Sequence, residues 1–94
     1  MDVRKAIASD IDTVVGFAER GRRQYQKYQP TFWRKAANSA ETTKVFFTNL
    51  LAQDHTIFLV AVEGRQLLGF LIARKFPAPP VYAPGGETWL VDDF

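Results

Sequence analysis

Thr56-Ile57-Phe58-Leu59-Val60-Ala61-Val62-Glu63-Gly64-Arg65-Gln66-Leu67-Leu68-Gly69-Phe70-Leu71-Ile72-Ala73-Arg74-Lys75 decides the fold. The run Thr56 to Glu63 is rich in β-branched and aromatic residues. Such side chains fit a pleated, half-buried surface. Glu63-Gly64-Arg65 is a turn signal, and Gln66 to Lys75 is apolar again, so the stretch predicts an antiparallel hairpin. Ile57, Leu59, Ala61 and Glu63 share one face, and Phe58, Val60 and Val62 share the other. Both faces are largely apolar, so both want a cover.

Working outward, Phe76 to Gly86 contains Pro77, Pro79, Pro80, Pro84, Gly85 and Gly86, and predicts a stiff loop. In an extended conformation it would suit an SH3-like partner. Glu87 to Phe94 is a last strand. Upstream, Val3 to Ile7 is a short strand. Ser9 is placed to cap a helix start, with Asp10 and Asp12 at the positive end of the dipole. That helix runs from about Asp10 to Tyr28, with Ile11, Val14, Val15, Ala18, Arg22, Tyr25 and Tyr28 at three- and four-residue steps. Pro30 ends it. Thr31 to Ala37 suggests a helical turn. Ser39 to Gln53 is a second helix with Phe46, Phe47, Leu50 and Leu51 on its apolar side. The order strand, helix, helix, strand, strand, strand predicts an α+β domain with an antiparallel meander.

The chain has 94 residues, which predicts one domain. It has no Cys and one His, so disulfide scaffolds, thiol nucleophiles and His-rich metal sites are excluded. No apolar run approaches a membrane span and no signal-peptide core is present, so a cytoplasmic protein is expected. The net charge of +2 hides an asymmetry. Arg20, Arg22, Arg23, Lys27, Arg34 and Lys35 lie in a segment with no acid, and the rest of the chain sums to −4. Such a patch is either a solvated helix face or an attractor for an anionic ligand.

The strand and capped helix through Val3-Arg4-Lys5-Ala6 and Ala8-Ser9-Asp10-Ile11-Asp12, the second helix, and the hairpin carrying Leu68-Gly69-Phe70 resemble the GNAT N-acetyltransferase superfamily. Glu87-Thr88-Trp89-Leu90-Val91-Asp92-Asp93-Phe94 resembles that family's fourth strand. The resemblance covers the family's N-terminal half. It implies acetyl-CoA as cofactor and N-acetyl transfer as reaction. In the family, a glycine-rich loop and helix after the fourth strand hold the pyrophosphate of the cofactor. No such loop lies within residues 1–94, and Gly85-Gly86 precedes a strand, not a helix. The expectation is a GNAT-like domain without its cofactor-binding half, catalytically incomplete alone and acting as a dimerising or binding module. The alternative is an active enzyme completed across a dimer or by another chain. A small nucleic-acid binder is a further alternative.

By resemblance, Asp92 or Asp93 is the general base for the acceptor amine. Strand alternation puts one on each face. Otherwise they guard an open strand edge. Glu87 is a further carboxylate candidate, and His55 fits a cap or an exposed residue. Tyr25, Tyr28, Phe32, Trp33 and Arg34 fall where the resemblance puts the acceptor-substrate side. Alternatively, these rings pack, with Trp33 plugging the edge of the core, or stack on single-stranded nucleic acid. Phe58, Val60, Leu68, Phe70 and Ile72 are expected to lie on a sheet face with no cover. A homodimer through that face, or through the edge of the last strand, is therefore expected.

Overall fold

The computed structural model describes residues 1–94. The chain divides into two compact units, Met1–Lys5 with Gln53–Phe94, and Ala6–Ala52.

The first unit is a four-stranded antiparallel sheet. Its strands are β1 (Asp2–Lys5), β2 (Thr56–Glu63), β3 (Gln66–Lys75) and β4 (Trp89–Asp93), in the spatial order β1-β2-β3-β4. The predicted hairpin forms with Glu63 opposite Gln66, which leaves Gly64 and Arg65 as a two-residue loop. Gly64 has φ +58°. A glycine with positive φ at the first loop position, followed by a residue with negative φ, matches a type II′ turn, whose twist suits a hairpin. Two register shifts break the ladder, one at Ala61/Val62 and one at Ile72/Ala73. The first leaves Leu68 without an opposite partner on β2, and the second leaves Asp92 without one on β3.

Directly opposed residues share a face, so Phe58, Ile72, Val60 and Phe70 lie together. The expectation that Phe58, Val60, Leu68, Phe70 and Ile72 are bare fails for three of them, while Leu68 is 49% exposed. Phe58, Val60 and Ile72 are buried, with Val60 and Ile72 fully inaccessible. The exposed apolar residues Val3, Ile57 and Val91 lie on the opposite face, with Ala61 and Ala73 as partners. Alternation tells which side chains travel together. It does not tell which of two apolar faces is covered.

The second unit holds a short 3₁₀ turn (Ala8–Asp10) leading into α1 (Ile11–Tyr28), and then α2 (Ser39–Leu51). Ser9 makes no cap. Asp10 does the work instead: its carboxylate accepts from the Ile7 N–H at 2.9 Å, and its own N–H donates to the Ile7 carbonyl at 2.9 Å. Ile11, Val14, Val15 and Ala18 form the buried stripe of α1. The stripe does not continue to the helix end, because Tyr25 and Tyr28 are exposed. On α2 the buried residues are Thr43, Phe47 and Leu50, while Phe46 is largely exposed. Phe47 is fully inaccessible. Cutting it to Ala removes a buried ring at a cost of about 3–5 kcal/mol.

The expected helical turn over Thr31–Ala37 is a single turn closed by the Trp33 N–H on the Gln29 carbonyl at 2.9 Å. The proline-rich loop is not extended throughout, because the Tyr82 N–H donates to the Pro79 carbonyl at 2.9 Å and folds a turn there. No helix is long and apolar enough to cross a membrane.

Candidate functional site

Three places carry the candidate residues. The first is the polar cluster around Glu19, which sequence reasoning missed. Glu19 is buried on α1. Its Oε2 lies 2.6 Å from Lys35 Nζ, and the Ser39 hydroxyl donates to its two carboxylate oxygens at 2.8 and 2.7 Å. Arg22 Nη1 donates to Glu19 Oε1 at 3.3 Å and to Thr43 Oγ1 at 2.9 Å. Burial acts to raise the Glu19 pKa. The Lys35 and Ser39 hydrogen bonds and the charges of Lys35 and Arg22 outweigh it, holding the carboxyl below its ordinary value. The cluster ties α1 to α2 and to the linker between them. The Lys35 N–H on Gln26 Oε1 at 2.8 Å adds a second tie. A signal for it existed in the sequence: Ile11, Val15 and Glu19 step by four, which places Glu19 on the apolar stripe.

This cluster changes the reading of the basic segment. Arg22 and Lys35 are bound to Glu19, and the Arg20 guanidinium sits 5.0 Å from the Phe17 ring centroid. Three of the six cations therefore have partners within the unit.

The second place is the aromatic cluster. Tyr25 and Trp33 have ring centroids 5.4 Å apart, and Phe32 meets Trp33 edge-on at 4.7 Å. The rings pack on one another and not into a core. Tyr25 is 54%, Tyr28 77%, Phe32 75% and Trp33 49% exposed. Trp33 is therefore no core plug, and the packing reading of these rings fails. The structure brings Tyr25, Phe32 and Trp33 together, with exposed Arg34 next along the chain.

The third place is β4 and its approach. Asp92 Oδ1 accepts from Arg74 Nη2 at 3.0 Å. Asp93 Oδ1 accepts from the Phe94 N–H at 3.0 Å. The expected strict alternation of the two carboxylates does not apply, because the register shift falls on Asp92. Glu87 and His55 are brought together at a different spot, an open cleft of about 340 Å³ that Lys75, Phe76 and Pro77 also line. Glu87 is ion-paired with Lys75 there. The Lys75 N–H donates to the His55 carbonyl at 3.1 Å. Neither Asp92 nor Asp93 lines this cleft. No group of three or more His, Cys, Asp or Glu is placed to hold a metal ion.

A pyrophosphate needs unoccupied N–H donors at a helix start without local negative charge. Neither helix fits. The α1 start carries Asp10 and Asp12, and the α2 start carries Glu41, with Ser39 engaged by Glu19. Gly85 has φ +75° but leads into β4, not into a helix. Acidic side chains at both helix starts work against a phosphate there.

Compared with protein-family models, with curated proteins and with solved structures, the chain has no match.

Proposed function

We propose that these 94 residues form a GNAT-like module related to acetyl-CoA-dependent N-acetyltransferases, which acts by binding and self-association and does not carry out acetyl transfer by itself. One observation carries the reading: the order strand, two helices, then a three-strand meander, with the first strand paired antiparallel to the second. The acidic starts of both helices support the absence of acetyl-CoA binding by these residues. The exposed apolar side chains Trp89, Leu90 and Val91 on an edge strand support self-association as a homodimer. By resemblance, Tyr25, Tyr28, Phe32, Trp33 and Arg34 mark the side where the family receives its acceptor. By the same resemblance, Asp92 or Asp93 would be the base for the acceptor amine.

The test is calorimetric titration of acetyl-CoA and desulpho-CoA into the purified protein at low and high salt. The expected result is no saturable heat with either ligand. Tight acetyl-CoA binding would overturn the reading and favour an enzyme whose site is completed across a dimer or by another chain. Salt-sensitive binding of oligonucleotides would favour the nucleic-acid alternative.

A further inference from the structure

The stretch between β3 and β4 is longer than their pairing requires. About 2–5 residues close an ordinary hairpin, whereas β3 ends at Lys75 and β4 begins at Trp89. The sheet pins both ends of the stretch. The Phe76 N–H donates to the Thr88 carbonyl at 2.9 Å, and the Thr88 hydroxyl donates back to the Phe76 carbonyl. Residues 77–87 therefore form a surface loop on a closed base, a form in which loops often carry function.

The middle of the loop reads Pro79-Pro80-Val81-Tyr82. Proline alone would stiffen a connection. Here a ring and a β-branched side chain are also left in water, with Val81 83% and Tyr82 70% exposed. Pro79 and Pro80 are exposed as well. Each proline has its φ fixed near −65°, so the pair gives up little freedom on entering a polyproline II helix. That helix has three residues per turn, so Pro79 and Tyr82 then face the same way, with Pro80 beside them. A ridge of two prolines followed by a tyrosine at that spacing suits a WW-type groove. Aromatic side chains of such a groove hold the ridge, and a neighbouring pocket takes the tyrosine ring.

Two features narrow the partner. Phe76 to Gly86 holds no charged residue, and the cations just before it are engaged, Arg74 with Asp92 and Lys75 with Glu87. An SH3-type groove, which also reads a cation beside its prolines, therefore lacks its anchor, whereas a tyrosine reader needs none. The free loop is closed by the Tyr82 N–H on the Pro79 carbonyl at 2.9 Å. Extension breaks that one bond on an exposed loop, where water replaces it, and so weakens binding by at most about tenfold.

We propose that Pro79–Tyr82 is a docking segment for a WW-type, proline-reading domain, which opens the turn and takes Pro79, Pro80 and Tyr82 in extended form. This docking is separate from the self-association in the proposed function and does not depend on it.

The experiment is calorimetric titration of an isolated WW domain selective for Pro-Pro-x-Tyr segments into the full chain, up to about 500 micromolar domain. An SH3 domain serves as the comparison. The wild type is set beside Tyr82→Ala, Pro80→Ala and Val81→Ala, and circular dichroism melts check that each variant folds. Saturable binding of the WW domain is expected, at least tenfold weaker with Tyr82→Ala and with Pro80→Ala. Val81→Ala is expected to bind within twofold of the wild type, because the spacer side chain points away from the groove. Absence of saturable binding to the wild type overturns the proposal. So does a folded Tyr82→Ala variant that binds like the wild type, which would mean a general apolar contact. Equal or tighter binding of the SH3 domain would mean that the prolines are read without the tyrosine and would also overturn it.

Discussion

The Glu19 cluster and the Tyr25–Trp33 cluster sit on the same helix, less than two turns apart in sequence, and reverse the usual arrangement of polar and apolar residues. Glu19 is 7% exposed, whereas Tyr25 is 54% exposed. The carboxylate is buried because three partners, Lys35, Arg22 and Ser39, meet it. A buried charge with that many donors avoids the desolvation penalty that keeps most carboxylates outside. The rings stay outside because the chain turns at Pro30 and folds Phe32 and Trp33 back onto Tyr25, so they cover only one another. Beyond the apolar stripe that ends at Ala18, burial in this helix is therefore set by partners and not by hydropathy. A polar residue is inside where its bonds are made, and aromatic residues are outside where no core faces them.

The contrast can be broken most strongly at Glu19. Glu19→Gln keeps the shape but leaves Lys35 and Arg22 without their shared charge. A loss of about 2–3 kcal/mol is expected in denaturant unfolding. A loss under 0.5 kcal/mol would mean that the cluster is solvated and the contrast false. Acid should weaken the same contact. The Glu19 pKa is lowered on folding, so its contribution is complete above its ordinary value of 4.5 and is lost as pH falls through the folded value. Melting wild type and Glu19→Gln from pH 7 to pH 3 should show a gap that holds to about pH 4.5 and closes below it. A gap that widened in acid would reverse the sign and reject the argument.

Smaller effects sharpen the picture. Arg22→Met keeps the stem and removes the bonds to Glu19 and Thr43. Because the Arg22 side chain is 33% exposed, a loss of only about 1 kcal/mol is expected, read from the same unfolding curves. At the other cluster, Phe32→Ser should change stability by less than about 0.5 kcal/mol at concentrations where the protein is monomeric. A loss above 1.5 kcal/mol there would show that the rings support the fold and are not a surface for a partner.

The hairpin was the most legible part of the chain. A β-branched run, a glycine turn and a second apolar run leave few alternatives to antiparallel pairing, and Glu63 indeed faces Gln66. Only the β2–β3 connection is short; β3 and β4 pair across the longer stretch Phe76–Thr88, and β1 reaches β2 across both helices. The helix termini were less legible. Ser9 and Asp10 are both good caps by type, and only geometry selects the Asp10 carboxylate for the Ile7 N–H. The bulge at Asp92 was invisible, since no residue type marks where a ladder skips. It matters for the candidate base pair, because it removes the alternation on which their placement rested. Of the candidate residues, Tyr25, Phe32 and Trp33 touch one another, and their exposure goes against the packing alternative. Their exposure depends on what lies opposite them, and local sequence carries no record of that.

The sequence by itself determined the local conformations: strand pattern, helix periodicity, the Gly64 turn and the stop at Pro30. These depend on neighbours one to four residues away, within reach of steric and propensity rules. It also determined the charge asymmetry, since that is a count. Only the tertiary structure decided which apolar face of the sheet is buried, that Glu19 is internal, and that four rings remain in water. Each of those outcomes depends on groups far apart along the chain, as Glu19 and Ser39 are, and burial is a property of the partners that meet and not of the residue alone.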